Sequence, residues 1–162
     1  MPVKHRISPC LWFDGQAEDA ANFYVSIFRN SRITAVSRCG EAGPGPKGSV
    51  MVVSFELDGQ AFTALNGGPM FKFTEAISMI VHCETQVEVD HYWETLSAGG
   101  QPGRCAWLKD KFGVSWQVVP TALIELMQDN DPAKSARVVQ AMLQMTKIDI
   151  AVLQRAYQGK AQ

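Results

Sequence analysis

Charge is scarce in this sequence and almost balanced. Charged residues make up 19% of the chain, and the formal net charge is -1. The lysines and arginines are scattered, and no acidic or basic run forms. That excludes a polyanion-binding surface of the kind that holds nucleic acid. No uninterrupted apolar run approaches about 20 residues, so no membrane span is expected. The opening stretch MPVKHRISPC has no long apolar segment of the secretory type, and a cytoplasmic location is expected. Cysteine is sparse: Cys10, Cys39, Cys83 and Cys105 stand far apart with no CxxC pair. That spacing excludes a zinc finger and, in a reducing compartment, implies free thiols. The three histidines, His5, His82 and His91, form neither HxH nor HxxxH, so no histidine motif signals a metal.

What remains is apolar. Hydrophobic residues make up 46% of 162, enough to build a sizeable core, and a single domain over residues 1–162 is expected. Residues 6–13 read as a strand, with Pro9 suggesting an edge or a bulge. From Gln16 to Phe28 the period becomes helical, with Ala17, Ala20, Ala21, Tyr24 and Phe28 on one stripe. Strands are predicted over 32–38, 49–57 and 60–66, with a Gly/Pro-rich loop before the second and Asp58-Gly59 as a tight turn after it. After Asn66-Gly67-Gly68-Pro69 the order recurs: strand 76–83, helix 86–98 closed by Gly99-Gly100, and strands 104–109 and 114–119. The second unit is shorter, and one of its strands is weak.

Three correspondences support a duplication. Ile7-Ser8 matches Ile77-Ser78 at a displacement of 70, Tyr24 matches Tyr92 at 68, and Gly59–Phe62 matches Gly113–Trp116 at 54. In order along the chain they describe a repeated βαβββ unit. Unit one covers about 5–67, unit two about 74–120, and a helical segment about 121–159 follows. In that segment Thr121 is placed as a possible cap and Pro132 in the first turn of a helix. Val138, Met142 and Met145 form an apolar stripe, and residues 147–158 are again helical. Apolar helices of this kind need a surface to cover, whether core or a dimer seam.

The segments LWFDGQAEDAANFY (11–24), ALNGGPMFKFTEAIS (64–78), VDHYWETL (89–96), WLKDKFGVSWQVVP (107–120) and AMLQMTKIDIAVLQRA (141–156) resemble the PhnB-like branch of the vicinal oxygen chelate superfamily. This is the glyoxalase, bleomycin-resistance and dioxygenase superfamily, and the branch has been labelled 3-demethylubiquinone 3-methyltransferase-like. The resemblance implies an α+β fold: two tandem βαβββ units forming a curved mixed sheet, a glyoxalase-like cup, with helices added at the C-terminal end. It also implies a homodimer and a small-molecule ligand held in the cup, by a metal-independent lyase or isomerase or by a sequestering protein without chemistry.

Metal-dependent members of the superfamily place His or Gln on the first strand of each unit and Glu on the last. Transferred through the repeat, those places fall on Ser8 or Pro9, Thr63, Ser78 and Gln117. Hydroxyls and one amide are a poor donor set for a divalent ion, so no metal is assigned and a divalent cofactor is not favoured. S-adenosylmethionine is not expected either, because a single glycine marks the turn at Phe13-Asp14-Gly15-Gln16-Ala17. Cys105, at the start of a predicted strand and near Lys109, is a candidate nucleophile, and His82 a candidate base or ligand. Cys10, Ser8 and Trp12 alternate on one strand, and with Thr63, Ser78, Trp107 and Gln117 they are the candidate binding residues. Lys109, Asp110 and Lys111 read as a solvated tip, with Asp110 alternatively fixing the turn through backbone N–H groups.

Overall fold

Two short strands, Cys10–Phe13 (β1) and Met79–Cys83 (β5), each open a unit with the same wiring. The computed structural model describes residues 5–160, so the first four residues of the opening stretch lie outside it. The chain divides into two units at Phe73/Thr74.

In the first unit β1 leads into helix α1 (Ala17–Ile27), then β2 (Arg32–Arg38), β3 (Val50–Leu57) and β4 (Gln60–Asn66). The sheet order is β1-β4-β3-β2, with β1 parallel to β4 and the remaining pairs antiparallel. Alternation along the strands sends Leu11, Phe13, Val53, Phe55, Leu57, Phe62 and Ala64 to one buried face. Helix α1 covers that face. Ala17, Ala20 and Ala21 let its backbone come close, and Tyr24 stacks on Phe55, with ring centroids 6.2 Å apart. Burying each large side chain here contributes about 1.5–3 kcal/mol. Asp58 and Gly59 both have positive φ, 46° and 78°, as the two-residue β3–β4 turn requires.

The second unit repeats the pattern with helix α2 (Gln86–Ser97), β6 (Gln101–Pro102), β7 (Trp107–Lys109) and β8 (Ser115–Pro120), in sheet order β5-β8-β7-β6. The weak strand is β6, which has two residues. The ladders confirm two of the three displacements: Cys10 pairs Thr63 in the first sheet, and Ile80, 70 residues on, pairs Gln117, 54 residues on, in the second. The helix correspondence is corrected by one residue. Tyr24 is fully buried, and its equivalent in α2 is buried Trp93 rather than half-buried Tyr92. A displacement of 69 also carries Ala20 to Val89 and Ile27 to Leu96, all buried. Matching identical residue types was misleading; the buried stripe sets the register.

Beyond β8 come α3 (Thr121–Met127), α4 (Pro132–Leu143) and α5 (Ile150–Tyr157). Thr121 is the first helical residue of α3 and not its cap; Pro120 holds the cap position without a side-chain bond. Asp131 caps α4 through the N–H groups of Ala133 and Lys134, with Pro132 following it. The last helix starts at Ile150 rather than 147, where Asp149 accepts from the Val152 N–H. Leu123, Val138, Ala141, Ile148 and Leu153 form a core with Ala106 from the turn before β7. Val138, Met142 and Met145 pack into or against this core, while Met127 and Leu143 stay exposed. Arg137 donates to the Ala156 and Tyr157 carbonyls at 2.9 and 2.7 Å and so closes the end of α5.

Candidate functional site

Each sheet has one face under a helix and one face turned away from it. In the first sheet the second face carries Cys10, Trp12, Thr63, Leu65, Val52 and Ser54: Cys10 pairs Thr63, which pairs Ser54, and Trp12 pairs Leu65, which pairs Val52. Trp12 is fixed firmly. Its indole Nε1 donates to the Gly68 carbonyl at 2.9 Å, and its ring meets Phe71 edge-on at 4.9 Å. Gly67 lies flat against the indole, where an added Cβ would stand 2.2 Å from ring carbons. A cleft of about 750 Å³ opens beside Trp12, roofed by Pro44, Gly45 and Pro46 and edged by Glu18 and Asp19. Strand β1 starts at Cys10 and not at residue 6, so Ser8 is an exposed residue ahead of the strand. Pro9 cannot donate to a ladder, and only its carbonyl joins the sheet, accepting from the Thr63 N–H at 3.0 Å.

In the second sheet the equivalent face carries Ile80, His82, Trp107, Lys109, Ser115 and Gln117. Ser78, just ahead of β5, belongs with them: the Gln117 Nε2 donates to its Oγ at 2.9 Å. Trp107 pairs directly with Gln117 across β7 and β8. Three of the candidate binding residues, Ser78, Gln117 and Trp107, are therefore brought together. His82 shares the face as its alternation predicts, and it is exposed. A cavity of about 380 Å³ on this side is lined by Glu75, Pro102, Trp107, Lys109 and Ser115, among others.

Cys105 is not at the start of a strand. Cys105 and Ala106 have positive φ, 55° and 75°, and form a left-handed turn before β7. The turn is held because their N–H groups donate to the Met145 and Thr146 carbonyls at 2.9 and 3.0 Å. These bonds anchor the C-terminal segment, a long-range constraint that no local pattern could reveal. With β8 lying between the Cys105 turn and β5, two strand spacings, roughly 10 Å, separate the backbones of Cys105 and His82. Lys109 pairs with Glu75, whose carboxyl is held below the ordinary range by the hydrogen bond that the ammonium donates, by a backbone hydrogen bond and by the ammonium's charge. Burial, seconded by the charge of Glu88, pushes the Cys83 thiol up to about 12, which leaves it unreactive.

Asp110 is not part of a solvated tip; it is 3% exposed. Its Oδ1 accepts from the N–H groups of Phe112 and Val114 at 2.9 and 3.0 Å, and its Oδ2 from the Trp116 indole at 2.8 Å. The β7–β8 turn is built around this carboxylate, as its alternative reading anticipates. Two further residues escaped sequence reasoning. Ser115, with 1% exposure, has a buried Oγ without a hydrogen-bond partner among the described residues. Glu75 sits at the start of the second unit, ahead of β5, and offers no periodic signal. For Ser115 the repeat held a usable hint, since its equivalent in the first unit is Ala61, a residue with no polar group.

The donor set fits neither cofactor the chain's resemblance raises. Among the described residues no three His, Cys, Asp or Glu side chains come together as a metal cluster. At the positions expected to hold an ion, Gln117 and Ser78 bond to each other. For S-adenosylmethionine, the strand-to-helix turn after β1 contains Gly15 alone, and each sheet is a four-stranded mixed sheet rather than a doubly wound parallel one. No helix among the described residues is long and apolar enough to cross a membrane.

The model of the family described as 3-demethylubiquinone-9 3-methyltransferase matches residues 5–119. A PhnB protein from Bacillus cereus is 39% identical, with 72% of this chain and 100% of that chain covered and a TM-score of 0.65. Protein PA1353 from Pseudomonas aeruginosa is 21% identical over 72% of this chain and 98% of its own, with a TM-score of 0.60. The fosfomycin resistance protein FosX from Listeria monocytogenes, complexed with Mn(II) and a sulfate ion, is 15% identical over 74% of this chain and 91% of its own, with a TM-score of 0.50. No curated protein matches the chain.

Proposed function

This chain belongs to the 3-demethylubiquinone-9 3-methyltransferase-like family, the PhnB-like branch of the vicinal oxygen chelate superfamily, and we propose that it binds a small molecule on the open face of its second sheet without a resident divalent metal. The observation that carries this reading is the Gln117–Ser78 hydrogen bond. An amide and a hydroxyl that satisfy each other are suited to exchange that bond for a ligand's polar group, with Trp107 beside them as an apolar wall. They are unsuited to a transition-metal ion, which favours imidazole, thiolate or carboxylate. The Mn(II) of FosX belongs to a protein 15% identical, too distant to transfer its site. Methyl transfer has no support in the fold. Sequestration is the favoured form of binding, because the pair that carries the reading, an amide and a hydroxyl, recognises polar groups without being a nucleophile and its base.

The test is metal analysis of the purified protein combined with thermal-shift binding of small aromatic and amphipathic compounds, for the wild type and for Gln117→Ala. The expected result is metal well below stoichiometry and a ligand-dependent rise in Tm that Gln117→Ala reduces. Stoichiometric metal lost in Gln117→Ala would overturn the reading. Turnover of a bound compound would replace sequestration by metal-free catalysis.

A homodimer is part of the same proposal. Its support is exposed apolar surface: Met127 and Leu143 on the C-terminal helices, and Ile7 and Ile77. The last two, equivalent residues ahead of β1 and β5, are 88% and 74% exposed. Light scattering at micromolar concentration checks it, and a monomer would remove it.

A further inference from the structure

One buried polar group in the second unit has no partner among the described residues: the Oγ of Ser115. A buried hydroxyl without a partner is costly, and native proteins keep few of them. Ser115 lines the cavity of about 380 Å³ already described, and Lys109 pairs with it directly across the β7–β8 ladder. Cross-strand neighbours on one face have their Cβ atoms about 4.5–5.5 Å apart, so the ammonium and the hydroxyl can reach the same acceptor. The present acceptor at Lys109 is Glu75, contributed by the segment ahead of β5. That pair is 38% and 59% exposed, so solvent and salt weaken it, and another anion can replace the carboxylate. Two residues from Lys109 on the same face is Trp107, which supplies the apolar wall, and Gln101 of β6 pairs with Lys109 at the cavity's edge.

We propose that this cavity is a site for a small aromatic oxyanion, a carboxylate or a phosphate ester. Its anionic group displaces Glu75 from Lys109 and accepts a hydrogen bond from the Ser115 hydroxyl, while its ring lies against Trp107. Glu75 is then a built-in competitor that occupies the ammonium until a ligand arrives. The proposal rests on the reading that the open face of the second sheet binds small molecules, and it adds the ligand class and the recognising groups.

The experiment is a protein-observed ¹H–¹⁵N NMR titration of the full chain at constant ionic strength. The probes are benzoate, phenyl phosphate and neutral toluene. Saturable shifts are expected at the Trp107 indole and at the Lys109 and Ser115 amides with benzoate, phenyl phosphate or both, and whichever oxyanion binds more tightly identifies the head group. Toluene should bind more weakly than either. Glu75→Gln should tighten binding by about threefold or more, because the competitor is gone, whereas Ser115→Ala and Lys109→Met should weaken it by about fivefold or more. If Lys109→Met fails to fold, the opposite signs for Glu75→Gln and Ser115→Ala still decide the question. Unchanged or weaker binding in Glu75→Gln overturns the proposal, as does wild-type affinity in Ser115→Ala. Shifts confined to Gln117, Ser78 and His82 overturn it while leaving the open-face reading intact. No saturable shift with any of the three probes overturns it too, and the compound panel then decides the open-face reading.

Discussion

The two units share a backbone and differ in their side-chain chemistry. Strand order, the parallel first-to-last pairing and the ladder register coincide, yet Cys10 becomes Ile80, Trp12 becomes His82, Ala61 becomes Ser115 and Thr63 becomes Gln117 at equivalent places. The hairpin turns diverge as well. The β3–β4 turn is made by Asp58-Gly59 at the surface, and the β7–β8 turn by a buried carboxylate with three N–H donors. The first sheet fixes its tryptophan with a backbone carbonyl and a glycine. The second leaves Trp107 beside a cavity with polar groups ready to change partners. Duplication supplies a scaffold in which the pairing pattern is costly to alter, while the exposed alternate positions are free to specialise. On the proposed reading, the second unit carries the polar recognition.

The largest expected effect breaks the comparison at the turns. Asp110→Ala leaves three N–H groups, two of them buried, without their acceptor and should cost about 3 kcal/mol or more, whereas Asp58→Ala should cost about 1 kcal/mol. Urea denaturation of both variants measures the difference, and equal losses would show that the turns are not distinct. Next comes Gly67→Ala. The added methyl group must displace the Trp12 ring and its bond to Gly68, for an expected loss of about 2 kcal/mol. Tryptophan fluorescence should change together with stability, and a silent substitution would refute the close packing of Gly67.

A smaller effect concerns the segment that only the second unit carries. Arg137→Met removes two donors from the last carbonyls of α5, with an expected loss of about 1–2 kcal/mol. Hydrogen exchange should quicken in α5 and not in α1 to β4; uniform quickening would mean that the units share one cooperative transition. The smallest effect is a pH dependence. The carboxyl of Asp90 is held below its ordinary range by Lys147 first and Gln86 second. A lowered carboxyl stabilises the fold above its unfolded pKa, near 3.9, and that contribution is lost as pH falls through the folded value. Asp90→Asn should therefore lower stability slightly at pH 7 and flatten the acid slope below about pH 4, where the variant and the wild type converge. An unchanged acid slope would show that the pair contributes nothing.

Much of the fold was legible because the repeat leaves periodic traces. The Asp58-Gly59 turn, the alanine stripe of α1 and the Gly99-Gly100 helix end are local signals with local causes. Strand starts were less legible: the predicted strands at 6, 76 and 104 begin at Cys10, Met79 and Trp107. Each lost three or four residues because an apolar residue type does not guarantee a ladder partner. The candidate site was read in fragments. Gln117, Ser78 and Trp107 come from the repeat and from residue type, whereas Ser115 and Glu75 gain meaning only beside Lys109.

The sequence by itself determined the order of elements, the duplication, the positions where a metal-binding relative would carry ligands, and the unsuitable donors found there. The order and the duplication follow from spacing and residue chemistry, which are local properties, and the ligand positions follow from the resemblance carried through the repeat. The tertiary structure alone decided that Asp110 is buried beneath its turn, that Cys105 sits in a left-handed bend tied to Met145 and Thr146, and that Lys109 meets Glu75 rather than a thiol. Each of these depends on a partner distant in the chain or on solvent exclusion, and neither exists until the sheets and helices pack.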